Sequence, residues 1–314
     1  MEVDRIAERI LTDDPDPVVE FRLRRDVLGA VPAVPSSLEI RSRWIRVLEG
    51  EQRADGGWGR FHSADSRARA AIPTAEFAID RALALGLDAK HPVLGRAIGY
   101  MARLLLGEIE FPDRAEHNDR WATGVQLFVA GTMARVDPNA SELDEIWGLW
   151  ATILERAFAS GVYDPDAEAL AHREITGASV ANSYLVLSNR YAVALLGSRV
   201  RDLPAGTVRR YAEWLWSLPT GIGYLSVPLS RPPKSDPGGV DRWLSSLELV
   251  KPLPIGHQAE VAEWMWSQRQ DGWWDFGPRW TRSAYLPLSE DWRRRRRRCH
   301  DHSTRILALL RSDR

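Results

Sequence analysis

The sequence predicts an all-α fold, a single (α/α)6 barrel of six helical hairpins spanning residues 1–314. Three observations carry this. The stretch YAEWLWS from Tyr211 to Ser217 returns as VAEWMWS from Val261 to Ser267, an offset of 50 residues. A glycine-tryptophan turn also occurs twice, as QRADGGWG from Gln52 to Gly59 and QDGWWDFG from Gln270 to Gly277. Apolar residues elsewhere recur at helical spacing, with essentially no strand-like alternation. A period near 50 fits the 314-residue chain about six times and marks an array of units, none able to bury its apolar face alone. Twelve helices could stack into an open solenoid or close into a ring. The ring is predicted because it leaves no apolar end exposed.

The elements follow in order. Asp4 to Leu11 reads as a short helix stopped at Asp13-Asp14-Pro15, and Asp16-Pro17 caps and opens the next, ended by Gly29. A proline-rich connector leads to a helix from Leu38 to Glu51, followed by the first glycine-tryptophan turn. Pro73 to Leu85, Pro92 to Leu106, Trp121 to Ala134 and Ser141 to Phe158 read as helices. A loop through Gly161, Tyr163 and Asp164 precedes a helix from about Ala178 to Leu196. Gly206 to Ser217, Val240 to Leu249, Gly256 to Ser267 and a last helix ending at Leu310 complete the pattern. Inner helices are placed with starts near 16, 73, 121, 178, 240 and 301, the remainder forming an outer wall.

Composition narrows the function classes. Charges nearly cancel, 42 Lys+Arg against 43 Asp+Glu, so no global field favours nucleic acid or an anionic membrane. Cys299 stands alone, which excludes an internal disulfide and fits a reducing compartment. The acidic, amphipathic start MEVDRIAERILTDD is unlike a secretory signal, and no stretch approaches the roughly 20 apolar residues of a transmembrane span. A cytoplasmic protein is expected.

Trp44-Ile45, Gln52 and Gly57-Trp58, with the looser copy from Glu263-Trp264 to Gly277, resemble the Gln-Trp motif of squalene and hopene cyclases. The chain thus resembles the terpenoid cyclase and protein prenyltransferase superfamily in period and turn chemistry, which implies the six-hairpin barrel and an isoprenoid diphosphate or similar anionic amphiphile as ligand. It departs from that pattern at two places. No Asp-x-Asp-Asp acid string occurs, which sets aside proton-initiated cyclisation. Cys299, His300, Asp301 and His302 stand in the reverse order of the prenyltransferase zinc ligands, so neither metal nor cofactor is expected.

Residues opposite the apolar stripes of the inner helices would line the lumen: Glu20, Arg24, Glu76, Asp80, Gln126, Asn182, Asn189, Arg190, Glu248, Asp301 and Arg305. The plain reading is that these charges pair with one another, as Glu20 and Arg24 can at helical spacing. The functional reading is a polar or anionic ligand. The run Arg293 to Arg298 ends at the predicted start of the last inner helix, where the helix dipole adds to its field. Arg293, Arg297 and Arg305 are the expected anion ligands, Asp301 a general acid or base, Trp121 the contact for an apolar tail, with Arg190, Asn182 and Gln126 lining the site. Two further possibilities are a non-catalytic platform with a salt-bridged lumen, and a carbohydrate-active barrel using Glu76 and Asp80. Phosphate-binding glycine loops and Gly-x-Ser-x-Gly are missing from the sequence.

Overall fold

Side-chain caps and prolines decide where the helices begin. Asp16 accepts the N–H of Val18 while Pro17 takes the first helical position; His91 with Pro92, and Asp164 with Pro165, repeat the arrangement. The structure, a computed structural model, describes residues 2–30, 42–67, 69–180, 184–233, 237–278 and 286–311. Among these residues there are thirteen α-helices and no strand. They are α1 (Glu2–Thr12), α2 (Pro17–Arg22, continued by a π turn over Leu23–Val27), α3 (Arg43–Glu51), α4 (Ala75–Ala84) and α5 (Pro92–Leu105). Then come α6 (Trp121–Ala134), α7 (Asp144–Ala157), α8 (Pro165–Thr176), α9 (Arg190–Ser198), α10 (Ala205–Ser217), α11 (Pro237–Val250), α12 (Gln258–Ser267) and α13 (Arg295–Leu310).

Four inner-helix starts differ from the sequence reading. The helix expected from 178 begins at Arg190, because Asn189 supplies the cap by accepting the N–H of Tyr191. The preceding stretch instead contains α8, which the reading missed, capped by Asp164 and closed by Gly177 in the left-handed conformation. The last helix starts at Arg295, not near 301, so four of the six arginines form its first turn. The helices expected near 73 and 240 open at Ala75 and Pro237.

Both glycine-tryptophan turns are clasps. Trp58, 1 % exposed, donates its indole N–H to Leu48 O of α3 at 2.9 Å, and Trp274, fully buried, donates to Met265 O of α12 at 2.6 Å. In each case the ring ties the turn to the helix just left. Gly56 permits the first turn to press on α5: its φ is +92°, and a Cβ there would stand 2.3 Å from Arg96 O. Gln52 completes the joint by donating to Gly56 O and Val93 O and accepting from Arg96.

Packing joins neighbours along the chain and also its two ends. α6 lies along α9, α7 along α8, and α9 against α11. α1, α2 and the π turn pack on α13. Arg296 is bound to Asp13 at 2.7 Å, Arg297 to Asp14 at 3.3 Å, and Arg311 to Asp4 at 2.7 Å. No helix among the described residues is long and apolar enough to cross a membrane.

Candidate functional site

A cavity of about 1220 Å³ is lined from seven helices, α2 with its π turn, α4, α6, α7, α9, α11 and α13. Its wall alternates small or aliphatic residues such as Ala134, Ala194, Leu249 and Ala308 with charged side chains. Such a volume suits a small-molecule ligand with both an apolar and a charged part.

The charges are shared unevenly. Asp80 of α4 accepts from Arg190 at 3.1 Å and is also bonded to Arg135. Burial alone would raise the Asp80 carboxyl, but the two guanidiniums outweigh it and hold the group at about 2. Asp26 likewise serves Arg25 at 2.5 Å and Arg22, and its carboxyl is lowered against burial by the same two cations. Two carboxylates thus face four guanidiniums. Across the cavity the ratio inverts: Arg305 meets Asp241 at 2.8 Å and Glu248 at 2.5 Å, and also donates to Ser245. The lining therefore holds an electropositive cluster, made at α2, α4, α6 and α9, and an electronegative one around Arg305.

Arg190, Arg305 and Asp301 line this cavity as expected. Asp301, 1 % exposed, accepts the N–H groups of Leu288 and Ser289, both at 3.0 Å, and the Ser289 hydroxyl at 2.5 Å. It fixes a loop. Arg293 and Arg297 lie outside the cavity lining. Arg293 sits over the Trp292 ring at 5.2 Å, Arg297 is held by Asp14, and Arg298 by Asp275 at 2.7 Å. The arginine run is thus largely compensated by carboxylates of the N-terminal segment and the second clasp. Gln126 is exposed on α6, and Trp121 is half-buried with its edge toward Phe111 at 5.7 Å, away from the cavity. Glu20 and Arg24 pair at 3.1 Å on the exposed side of α2. The π turn brings Arg25 and Asp26 to the cavity, a phase shift that a uniform helical wheel cannot anticipate. Asn182 lies outside the described residues. Trp243 is a fully buried core residue bonded to Leu229 O.

Glu76 belongs to a second constellation, near the opposite, N-terminal ends of α4 and α9. Its Oε2 receives the Tyr191 hydroxyl at 2.9 Å and stands 2.9 Å from His62 Nδ1. Tyr191 Oη is 3.0 Å from the same nitrogen, closing a triangle. The imidazole stacks on Phe128, with ring centroids 4.5 Å apart, and meets the edges of Tyr191 and Tyr224. His62 itself is placed by Asp113, whose carboxylate accepts the N–H groups of Phe61, His62 and Ser63. His62 and Tyr191 lie 129 residues apart and carry no motif, so spacing could not join them. For Arg22 the i,i+4 spacing to Asp26 was an available signal, whereas Arg135 lies 55 residues from Asp80 and carried none.

Among the described residues no group of three or more His, Cys, Asp or Glu side chains could hold a metal ion. Cys299 is buried, with burial pushing its thiol up. Compared with family models, curated proteins and solved structures, the chain matches none.

Proposed function

We propose that this chain is an (α/α)6 toroid of the prenyltransferase and terpenoid cyclase type whose lumen binds an isoprenoid diphosphate or similar anionic amphiphile. The observation that carries the reading is the sharing of two carboxylates, Asp26 and Asp80, among four guanidiniums on one side of a cavity lined from seven helices. Each shared carboxylate leaves about one positive charge uncompensated, and that charge attracts a dianionic head group. Aliphatic lining beside it suits an isoprenoid tail. The head-group ligands in this reading are Arg25, Arg135 and Arg190. The reading includes a cytoplasmic location, on the balanced charge and the lone Cys299.

Calorimetry with geranylgeranyl diphosphate, inorganic diphosphate and geranylgeraniol tests it. The amphiphile should bind more tightly than either fragment, and Arg25→Ala with Arg135→Ala should weaken it at least tenfold. Equal affinity for the alcohol, or no binding of the diphosphates, would sink the idea.

A second reading, a non-catalytic platform with a salt-bridged lumen, is favoured by Arg305, whose guanidinium is fully engaged by Asp241, Glu248 and Ser245. It predicts that none of the three ligands binds. In the carbohydrate reading Asp80, kept ionised by two arginines, could not be the general acid.

A further inference from the structure

We propose that His62, Glu76 and Tyr191 form a general acid–base centre, separate from the cavity, in which His62 Nε2 exchanges a proton with the hydroxyl of a neutral substrate resting against Tyr224. Three independent observations lead there.

The first is the triangle. Glu76 Oε2 faces Nδ1 at 2.9 Å, and a carboxylate there fixes the imidazole with Nδ1 protonated. Nε2 then carries the lone pair. It has no partner among the described residues and is not one of the buried unpartnered atoms, so it opens to solvent. This is the division of labour that general acid–base catalysis requires: one nitrogen anchored, the other free to reach a proton.

The second is the state of Glu76. The residue is 9 % exposed, and its Oε1 is buried with no donor among the described residues. A desolvated, half-satisfied carboxylate is costly, and it concentrates its acceptor strength on the His62–Tyr191 pair. Burial, the largest single influence, would lower the imidazole, yet the hydrogen bond and charge of Glu76 together with the charge of Asp113 outweigh it and raise His62 above its ordinary value. The groups facing it are Glu76 from α4, Tyr191 from α9, Asp113 and Tyr224 from loops, and Arg190 at longer range.

The third is Tyr224. It holds φ at +68°, a region bulky residues avoid, and Ser226 two positions on holds +53°. The strain places the ring edge-on to His62 at 5.6 Å and to Tyr191 at 5.5 Å, while leaving it 47 % exposed. Strain retained at an exposed aromatic beside a positioned imidazole is a mark of function. The substrate class follows from the surroundings. Ring faces and hydroxyls suit a neutral compound that carries hydroxyl groups.

His62 and Tyr224 would touch substrate, whereas Glu76 and Tyr191 are positioning residues. The test uses the full chain with water as the hydroxyl and 4-nitrophenyl acetate as the probe. Nε2 takes a proton from water as the water oxygen bonds to the ester carbonyl carbon. The carbonyl carbon's bond to the nitrophenyl oxygen then breaks, 4-nitrophenolate leaves, the acetic acid formed ionises to acetate by giving its proton to solvent, and the imidazolium returns its own proton to solvent. Hydrolysis should exceed that of free imidazole at equal concentration and follow the titration of His62 read by nitrogen NMR. His62→Gln should lower the rate at least tenfold, and Glu76→Gln should move the pH profile toward acid. Because Tyr224 is exposed, Tyr224→Gly will fold; it should melt no lower than wild type while raising KM several-fold. A wild-type rate no greater than imidazole, a His62→Gln rate equal to wild type, or a profile unmoved in Glu76→Gln would each overturn the assignment. None of these outcomes depends on diphosphate binding in the cavity.

Discussion

Gly131 of α6 rests directly on the backbone of Tyr191 in α9: a Cβ built on the glycine would stand 2.6 Å from Tyr191 O and 2.7 Å from its Cα. The two helices lie together along their length, and this is where no side chain can intervene. Gly131→Ala must push α9 outward and should cost about 1–3 kcal/mol, seen as a lower urea midpoint at unchanged m. The displacement would also carry the Tyr191 hydroxyl off Glu76.

Acid should destabilise the protein in two separable windows. His172 is fully buried, neither ring nitrogen has a hydrogen-bond partner, and burial holds it down at about 4. Its folded value lies below the unfolded one, so the stability it confers is present above about pH 6.5 and is lost as pH falls toward 4. Asp80, held at about 2 by its two arginines, loses its contribution only between about pH 4 and 2. Those windows correspond to about 3 and about 2 kcal/mol. Stability measured against pH should fall in two steps, and His172→Phe should remove the upper one.

Trp58→Ala and Trp274→Ala should each destabilise by about 3–5 kcal/mol, since both rings are buried and both indoles are bonded to a helix carbonyl. Thermal melts of the two variants should drop by similar amounts. A stable Trp58→Ala protein with altered ligand binding would show that the turn is a site and not a clasp.

Asp301→Asn separates a structural carboxylate from a catalytic one. Its three donors leave an amide nitrogen facing N–H groups, so a loss of about 2–3 kcal/mol is expected. A catalytic acid would instead lose rate at unchanged melting temperature.

Helices and clasps were readable in the sequence because their causes are local. A glycine-tryptophan turn announces itself in eight letters, and Asp16-Pro17 marks a helix start. The same Asp-Pro signal at Asp164-Pro165 was passed over, because a fifty-residue period left no room for α8. Helix faces were legible only while the helix stayed regular. At α2 the π turn brought Arg25 and Asp26 to the cavity while Glu20 and Arg24 lay on the exposed side. The arginine run looked like an anion site because its partners, Asp13, Asp14 and Asp275, are remote in sequence or in a loop. The same distance hid His62, which meets Glu76 and Tyr191 only once α4 and α9 are set side by side.

The ion pairs joining Asp13 and Asp14 to Arg296 and Arg297, with Asp4 on Arg311, bear on how the molecule comes apart. Open helical arrays fray from their terminal units, which have a neighbour on one side only. Here each terminal segment is the other's neighbour, so neither provides a free edge at which melting can begin. Amide protons of α1 and α13 should accordingly exchange as slowly as those of α6 and α9. In 1 M salt, where exposed pairs are screened, exchange in α1 should quicken first.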